Sequence, residues 1–220
     1  VRDGVYGKAS PVVRETLTAF AQRWIRRKRI DGVRQGTLDH YVRTLERFIL
    51  PHLGELIVDS IASRDVFWWR DKAGALRKPD GKQYSQWTMA GWMAVLRNLL
   101  SDAAVEFDLP RDPSKGVPGF RKPRSPRAGR YLRPNELRDF LALVEEHWQE
   151  HYALTVVLAI FGLRWGEATA LRLQDVDWEA GEIRVAQSQV RGKVTATKTD
   201  SVRLLPLTEP VREVLQEHLA

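Results

Sequence analysis

Through the first hundred residues the apolar positions recur every three to four places, which is the spacing of one helix face. Val13, Leu17, Phe20, Trp24 and Ile25 form the first stripe, followed directly by the cations Arg26, Arg27, Lys28 and Arg29. Leu38, Tyr41, Val42, Leu45, Phe48 and Ile49 form the second, with Thr37 as its predicted cap and Pro51 as its predicted stop. Ser63 is the predicted cap of a third helix, carrying Val66, Phe67 and Trp69. After a polar turn over residues 77–84, a fourth carries Trp87, Trp92, Val95, Leu96, Leu99, Leu100 and Ala103. Residues 11–110 therefore predict a four-helix unit. Aromatic side chains at helical spacing are more often core than base-stacking groups, and we assign them to the core.

The pattern breaks at residue 110. Pro110, Pro113, Pro118, Pro123 and Pro126 alternate with Arg111, Lys115, Arg121, Lys122, Arg124, Arg127 and Arg130. Proline lacks an amide donor and keeps its predecessor extended, so residues 111–130 predict a basic linker. Beyond it, Pro134 starts a predicted helix through Leu137, Phe140, Leu141 and Val144, and a buried helix follows over residues 152–161. Gly162 punctuates, residues 164–171 read as a short helix, and from Asp177 the period becomes two. Ile183 and Val185, then Val190 and Val194, then residues 203–207 predict strands, and residues 210–220 turn helical again. The fold class expected is mainly α with a small antiparallel sheet.

Charge sharpens this division. The chain of 220 residues carries a formal net charge of +7. Before Tyr131 there are 25 Lys and Arg against 14 Asp and Glu, and from Tyr131 onward 10 against 14, so the positive charge lies in the front part. A basic front half and linker suit a polyanionic partner, double-stranded DNA above all. Four adjacent cations at residues 26–29 repel one another unless phosphate or the dipole of a helix end offsets them. Arg34, Arg43, Lys82 and Arg97 join them, with Arg121, Lys122, Arg124, Arg127 and Arg130 of the linker, as candidate DNA contacts.

Other chemistries find little support. There is no cysteine, so no disulfide, thiolate metal site or cysteine nucleophile can be invoked. His147 and His151 are four apart but lack a nearby third ligand, and they read as surface histidines, so we expect no metal and no cofactor. The longest apolar run, residues 153–163, is far short of the roughly 20 residues a bilayer needs, so no membrane partner is expected. Residues 1–10 form a charged, glycine-containing N-terminal extension without the apolar centre of a signal peptide. A cytoplasmic setting is the expectation.

Two residues stand out chemically. Arg164 follows a very apolar helix and a glycine, in FGLRWGEATALRLQDVDW, and a guanidinium is costly at such a place unless it meets an anion. It can clamp phosphate oxygens, or it can simply pair with Glu167 three residues on; the residues alone leave both open. Lys198 lies in TKTDSVRLLPL between two strand-like segments, and is placed on a hairpin. An ammonium there can give its proton to an alkoxide leaving group.

Together these segments resemble the tyrosine recombinases of the phage integrase type. GLRWGEATALRLQDVDW, a strand pair and then TKTDSVRLLPL are similar to the first half of that family's catalytic domain. FILPHLGELIVDSI and VLRNLLSDAAVEFDLPRDPSKGV are similar to its helical, SAM-like core-binding domain. The resemblance covers residues 11–220 and implies a core-binding domain over residues 11–110 and an incomplete α+β catalytic domain over residues 131–220. It implies that Arg164 contacts the scissile phosphate, Glu167 orients the site, and Lys198 protonates the 5′-hydroxyl, without a metal. It further implies a clamp around duplex DNA, with four protomers on two sites in an intact bacterial or phage-encoded parent and a monomer for the piece in hand.

Arg133 stands where the family commonly has Thr or Ser, a small departure. A larger one is that the family's later motifs are absent. Tyr6, Tyr41, Tyr84, Tyr131 and Tyr152 all precede Arg164, and His218 has no arginine three residues on. The expectation is a fragment that binds DNA, with no nucleophile in this chain and no cleavage of its own. A non-catalytic DNA-binding regulator on the same scaffold and a type IB topoisomerase-like enzyme are the alternatives.

Overall fold

Thr16 opens the first helix: its hydroxyl accepts from the Ala19 amide at 3.3 Å, satisfying one of the donors that a helix start leaves unpaired. The computed structural model describes residues 15–121, 131–190, 192–196 and 202–220, so Val13 and the expected N-terminal extension lie outside the described residues. The chain divides into two compact units, Val1–Pro126 and Arg127–Ala220.

The first unit is helical: α1 (Leu17–Ile30), α2 (Gln35–Thr44), a π turn (Leu45–Ile49), α3 (Leu50–Leu53), α4 (Ser63–Ala75) and α5 (Gln86–Glu106). Its core is built from Leu17, Phe20 and Trp24 of α1, Leu45 and Ile49 of the π turn, Val66 and Trp69 of α4, and Trp92, Leu96 and Leu99 of α5. These are the stripes read from the sequence. Three local expectations are corrected. Arg34, and not Thr37, is the residue before α2. Ser63 is already inside α4, whose start is held by the Asp65 carboxylate accepting from the Ala62 amide at 2.8 Å. Pro51 does not stop the second helix, because the π turn lets it fall in the first turn of α3, where the amide that proline lacks would be unpaired anyway. Phe67 and Trp87, assigned to the core, are exposed, since each lies off the buried face of its helix.

The linker begins later than its prolines suggest. The Asp112 carboxylate accepts from the backbone amide and the hydroxyl of Ser114, both at 2.8 Å, and both residues are buried. Val117 enters the core, and Phe120 packs against its rim with the Arg70 guanidinium 5.4 Å from the ring centre. Arg97, a candidate DNA contact, donates to the Val117 carbonyl at 2.6 Å. Proline forbids helix and central strand, but it does not prevent extended chain from burying apolar side chains.

The second unit holds α6 (Pro134–His147), α7 (Gln149–Phe161), α8 (Trp165–Ala168) and α9 (Glu209–Leu219). Its strands are β1 (Val176–Asp177), β2 (Glu182–Val185), β3 (Gln187–Val190), β4 (Lys193–Ala196) and β5 (Arg203–Pro206). An antiparallel sheet runs β1-β2-β5, and β3 pairs with β4. Ile183 and Val185 point into a core with Val156 and Val157 of α7, Leu163, Ala168, Leu207 and Val211. The helix expected to be buried all round, α7, buries Ala153, Val156 and Val157 and leaves Ile160 exposed. The helix expected over residues 164–171 is a single turn.

The two ladders meet in a way that bears on the site. Val185 pairs with Arg203, and two residues later Gln187 pairs with Ala196. Lys198, expected on a hairpin, lies outside the described residues.

Candidate active site

Helix α7 ends at Gly162, whose φ of 58° is the left-handed conformation that glycine adopts at least cost. Leu163 then dips into the core and Arg164 becomes the residue that starts α8. The Arg164 amide donates to Glu167 Oε2 at 3.1 Å, and its guanidinium NH1 donates to Oε1 at 2.7 Å. A second guanidinium arrives from the first residue of β5: Arg203 NH2 donates to Glu167 Oε2 at 2.6 Å. The Glu167 side chain is 2% exposed, against 59% for Arg164 and 42% for Arg203. Burial by itself pushes the Glu167 carboxyl up, but the hydrogen bonds from Arg164 and the charges of both arginines outweigh it and hold the group below the usual carboxylate range. One buried carboxylate against two half-open guanidiniums leaves a surplus of positive charge facing solvent.

The turn that carries Arg164 is also held from below. A Cβ at Gly166 would stand 2.6 Å from Ser188 Oγ and 2.7 Å from the Gln189 carbonyl oxygen, so α8 lies directly on β3. Only glycine allows that approach.

Arg172 provides an internal comparison, since it stands before Asp175 as Arg164 stands before Glu167. Its Nε and NH2 donate to the two Asp175 oxygens at 3.0 and 2.9 Å, a closed fork. Arg164 spends only NH1 on Glu167, and its side chain stays 59% exposed. Of the two readings left open by the sequence, the pairing with Glu167 is present, and it leaves more than half of the Arg164 side chain exposed.

The family model described as the phage integrase family matches residues 130–220, which is nearly the whole second unit. The integrase of Mycobacterium phage L5 is 28% identical over 213 residues, covering 93% of this chain and 52% of that protein. The likeness to phage integrases thus runs through nearly the whole chain, with the family model confined to the second unit. Among solved structures, the Tn1549 transposon integrase in complex with transposon right-end DNA superposes with a TM-score of 0.73 at 22% identity, covering 92% of this chain and 64% of that one. A lambda integrase dimer bound to a COC′ core site gives 0.68 at 16% identity, covering 92% and 53%. The chain spans about half the length of the phage L5 integrase.

Arg203 was not singled out in the sequence, although it sits five residues after Lys198 in the same motif. A lone arginine beginning an apolar strand carries no sign of the carboxylate it will meet. Among the candidate DNA contacts, the run at residues 26–29 splits. Arg27 donates to Glu106 at 2.5 Å, and the Lys28 ammonium pairs with Asp102 at 2.8 Å, so half of the repulsion is relieved inside the protein. Arg26 and Arg29 are exposed beside them, and Arg34, Arg43, Lys82 and Arg121 also reach the surface of the first unit. Lys122, Arg124, Arg127 and Arg130 lie outside the described residues. His147 ends α6 while His151 belongs to α7, so their spacing does not place them on one helix face. Among the described residues no group of three metal-ligating side chains occurs, and no helix is long and apolar enough to cross a membrane.

The ion pairs make a pH prediction. Glu167 and Asp175 both have depressed folded-state pKa values, Asp175 chiefly through its hydrogen bonds from Arg172. A depressed carboxylate stabilises the fold above its unfolded pKa, and that stability is lost as pH falls through the folded value. The stability of the second unit is therefore expected to be flat above about pH 6 and to decline from about pH 5 downward. Thermal melts of wild type and Glu167→Gln across pH check this: the gap between them should close on acidification, and a gap independent of pH would contradict the assignment.

Proposed function

We propose that this chain is the DNA-binding and phosphate-holding part of a site-specific recombinase, acting on double-stranded DNA in the bacterial cytoplasm. The observation that carries this is the Arg164 guanidinium, fastened by a buried carboxylate on one side and open on the other. A fixed, half-dehydrated fork is suited to the non-bridging oxygens of a phosphodiester, where it stabilises the charge that builds up in the transition state. In the parent protein, a tyrosine outside these 220 residues attacks the phosphorus. The 3′-phosphate becomes linked to that tyrosine, and the 5′-oxygen leaves with a proton from Lys198. Attack by a partner strand's 5′-hydroxyl reverses the step. Glu167 orients the site, and cations take the role that metal ions play in other phosphoryl transfers.

The helical unit, read as the core-binding domain over residues 11–110 and extended by the docked segment to residue 121, would grip the backbone through Arg26, Arg29, Arg34, Arg43 and Lys82. The parent would assemble on two sites as four protomers. The lambda integrase neighbour supports this reading, being solved as a dimer on a core site and as a tetramer on a Holliday junction.

The deciding test incubates the full-length parent with duplex carrying its recombination site and a nick that traps the covalent intermediate. A protein–DNA adduct that survives denaturant and is digested by protease is the expected result; binding without any adduct would reduce the protein to a DNA-binding regulator. For the 220-residue chain itself, affinity for duplex DNA is expected to fall steeply and linearly on a log–log plot against salt, because each phosphate neutralised releases counterions. A flat response between 50 and roughly 200 mM salt would remove the basic face from the DNA surface.

A further inference from the structure

We propose that Arg203 is a positioning residue of this site, orienting Arg164 through their shared partner Glu167; the proposal rests on the recombinase reading above. The geometry that carries it is a three-member chain. Arg164 NH1 and Arg203 NH2 occupy different oxygens of one carboxylate, Oε1 at 2.7 Å and Oε2 at 2.6 Å, and the Arg164 amide shares Oε2 at 3.1 Å. With its side chain 2% exposed, Glu167 depends on these donors and not on water to stay charged.

The three donors come from two elements. Arg164 supplies two of them from within α8's own turn, and that turn is a single helical turn with little rigidity of its own. Arg203 supplies the third from a strand whose register is set by four pairings with β2, Glu182 to Val185 against Pro206 to Arg203. The strand therefore fixes where Oε2 lies. A carboxylate held at one oxygen leaves the other a defined place, and Arg164 NH1 is placed in turn. Without Arg203, Glu167 could rotate about its terminal bond with only its local partners to resist, and the open fork of Arg164 would lose its single orientation. Misplacement of such a group by about 1 Å can cost on the order of a hundredfold in rate.

Arg203 also has a structural duty, so the test separates position from stability. In the 220-residue chain, nitrogen-15 NMR of the Arg164 guanidinium should show slowed rotation in wild type, faster averaging in Arg203→Ala, and recovery in Arg203→Lys, which restores a cation near Oε2. Unchanged Arg164 signals in a folded Arg203→Ala would overturn the proposal. If the alanine variant does not fold, Arg203→Gln, which keeps a neutral donor, replaces it.

In the full-length parent, Arg203→Ala should slow formation of the covalent adduct about 10- to 100-fold with DNA affinity within about threefold, and Arg203→Lys should regain part of that. The same change made on a Glu167→Gln background should cost markedly less, because the route through the carboxylate is already broken. Equal costs on both backgrounds would mean that Arg203 acts on DNA directly, and the positioning role would fall. Failure of the recombinase reading looks different: wild-type parent then forms no adduct at all, while the guanidinium signals answer for Arg203 on their own.

Discussion

Replacing Arg164 with alanine in the full-length parent should lower formation of the covalent protein–DNA adduct by at least about 100-fold, the usual cost of removing one transition-state donor. DNA affinity should change by less than about 1 kcal/mol, the scale of one modest contact among many. The split follows from where the guanidinium sits. It starts α8 and is tied to a buried carboxylate, so it cannot follow the DNA backbone as a flexible surface lysine does. Its value lies in being held in place before charge develops on the phosphate. Arg172→Ala is the matched control, because that fork is already closed on Asp175. It should disturb stability while leaving the rate per folded molecule close to wild type. Adduct formation by Arg164→Ala at the wild-type rate would remove this residue from the chemistry.

The other large effect is on folding. Trp69→Ala should destabilise the helical unit by about 3–5 kcal/mol, a sizeable part of the total of roughly 5–15 kcal/mol that ordinary domains possess. The indole is fully buried in the core, and its Nε1 donates at 2.7 Å to the carbonyl of Phe48, inside the π turn. Truncation removes apolar contact and leaves a carbonyl without its donor. Trp69→Phe separates the two, since it keeps most of the volume and loses only the N–H, and about 1–3 kcal/mol is expected. Denaturant unfolding followed by far-ultraviolet circular dichroism measures both. A loss under 1 kcal/mol for the alanine variant would show that the core does not depend on this side chain.

The helix stripes were legible because helical periodicity is a local property: Phe20 and Trp24 reach the same face wherever the helix is placed. Elsewhere the outcome turned on backbone geometry or on a distant partner that residue type alone does not announce. Pro51 signals a stop in any sequence, yet a π turn just before it carries the chain on to Leu53. The prolines after residue 110 signal a linker, yet Val117 finds room in the core and Arg97 covers its carbonyl. Trp87 and Phe67 differ from Trp92 and Trp69 only in the angle they take around their helices.

For the site, sequence alone determined that a guanidinium and a carboxylate stand three residues apart, within reach of one another on a helical turn, and left open whether that pair would form. The tryptophan and leucine stripes, the change to strand period after Asp177 and the likeness to integrases were likewise present in the order of residues. Tertiary structure decided the rest. LRWGE and LRLQD are alike as strings, but the first leaves its fork open and the second closes it. Arg203 stands 36 residues from Glu167, and only the pairing of β5 with β2 sets it against that carboxylate. Charge and periodicity act over one or two turns of chain, whereas the burial that makes Glu167 matter is created by elements distant in sequence.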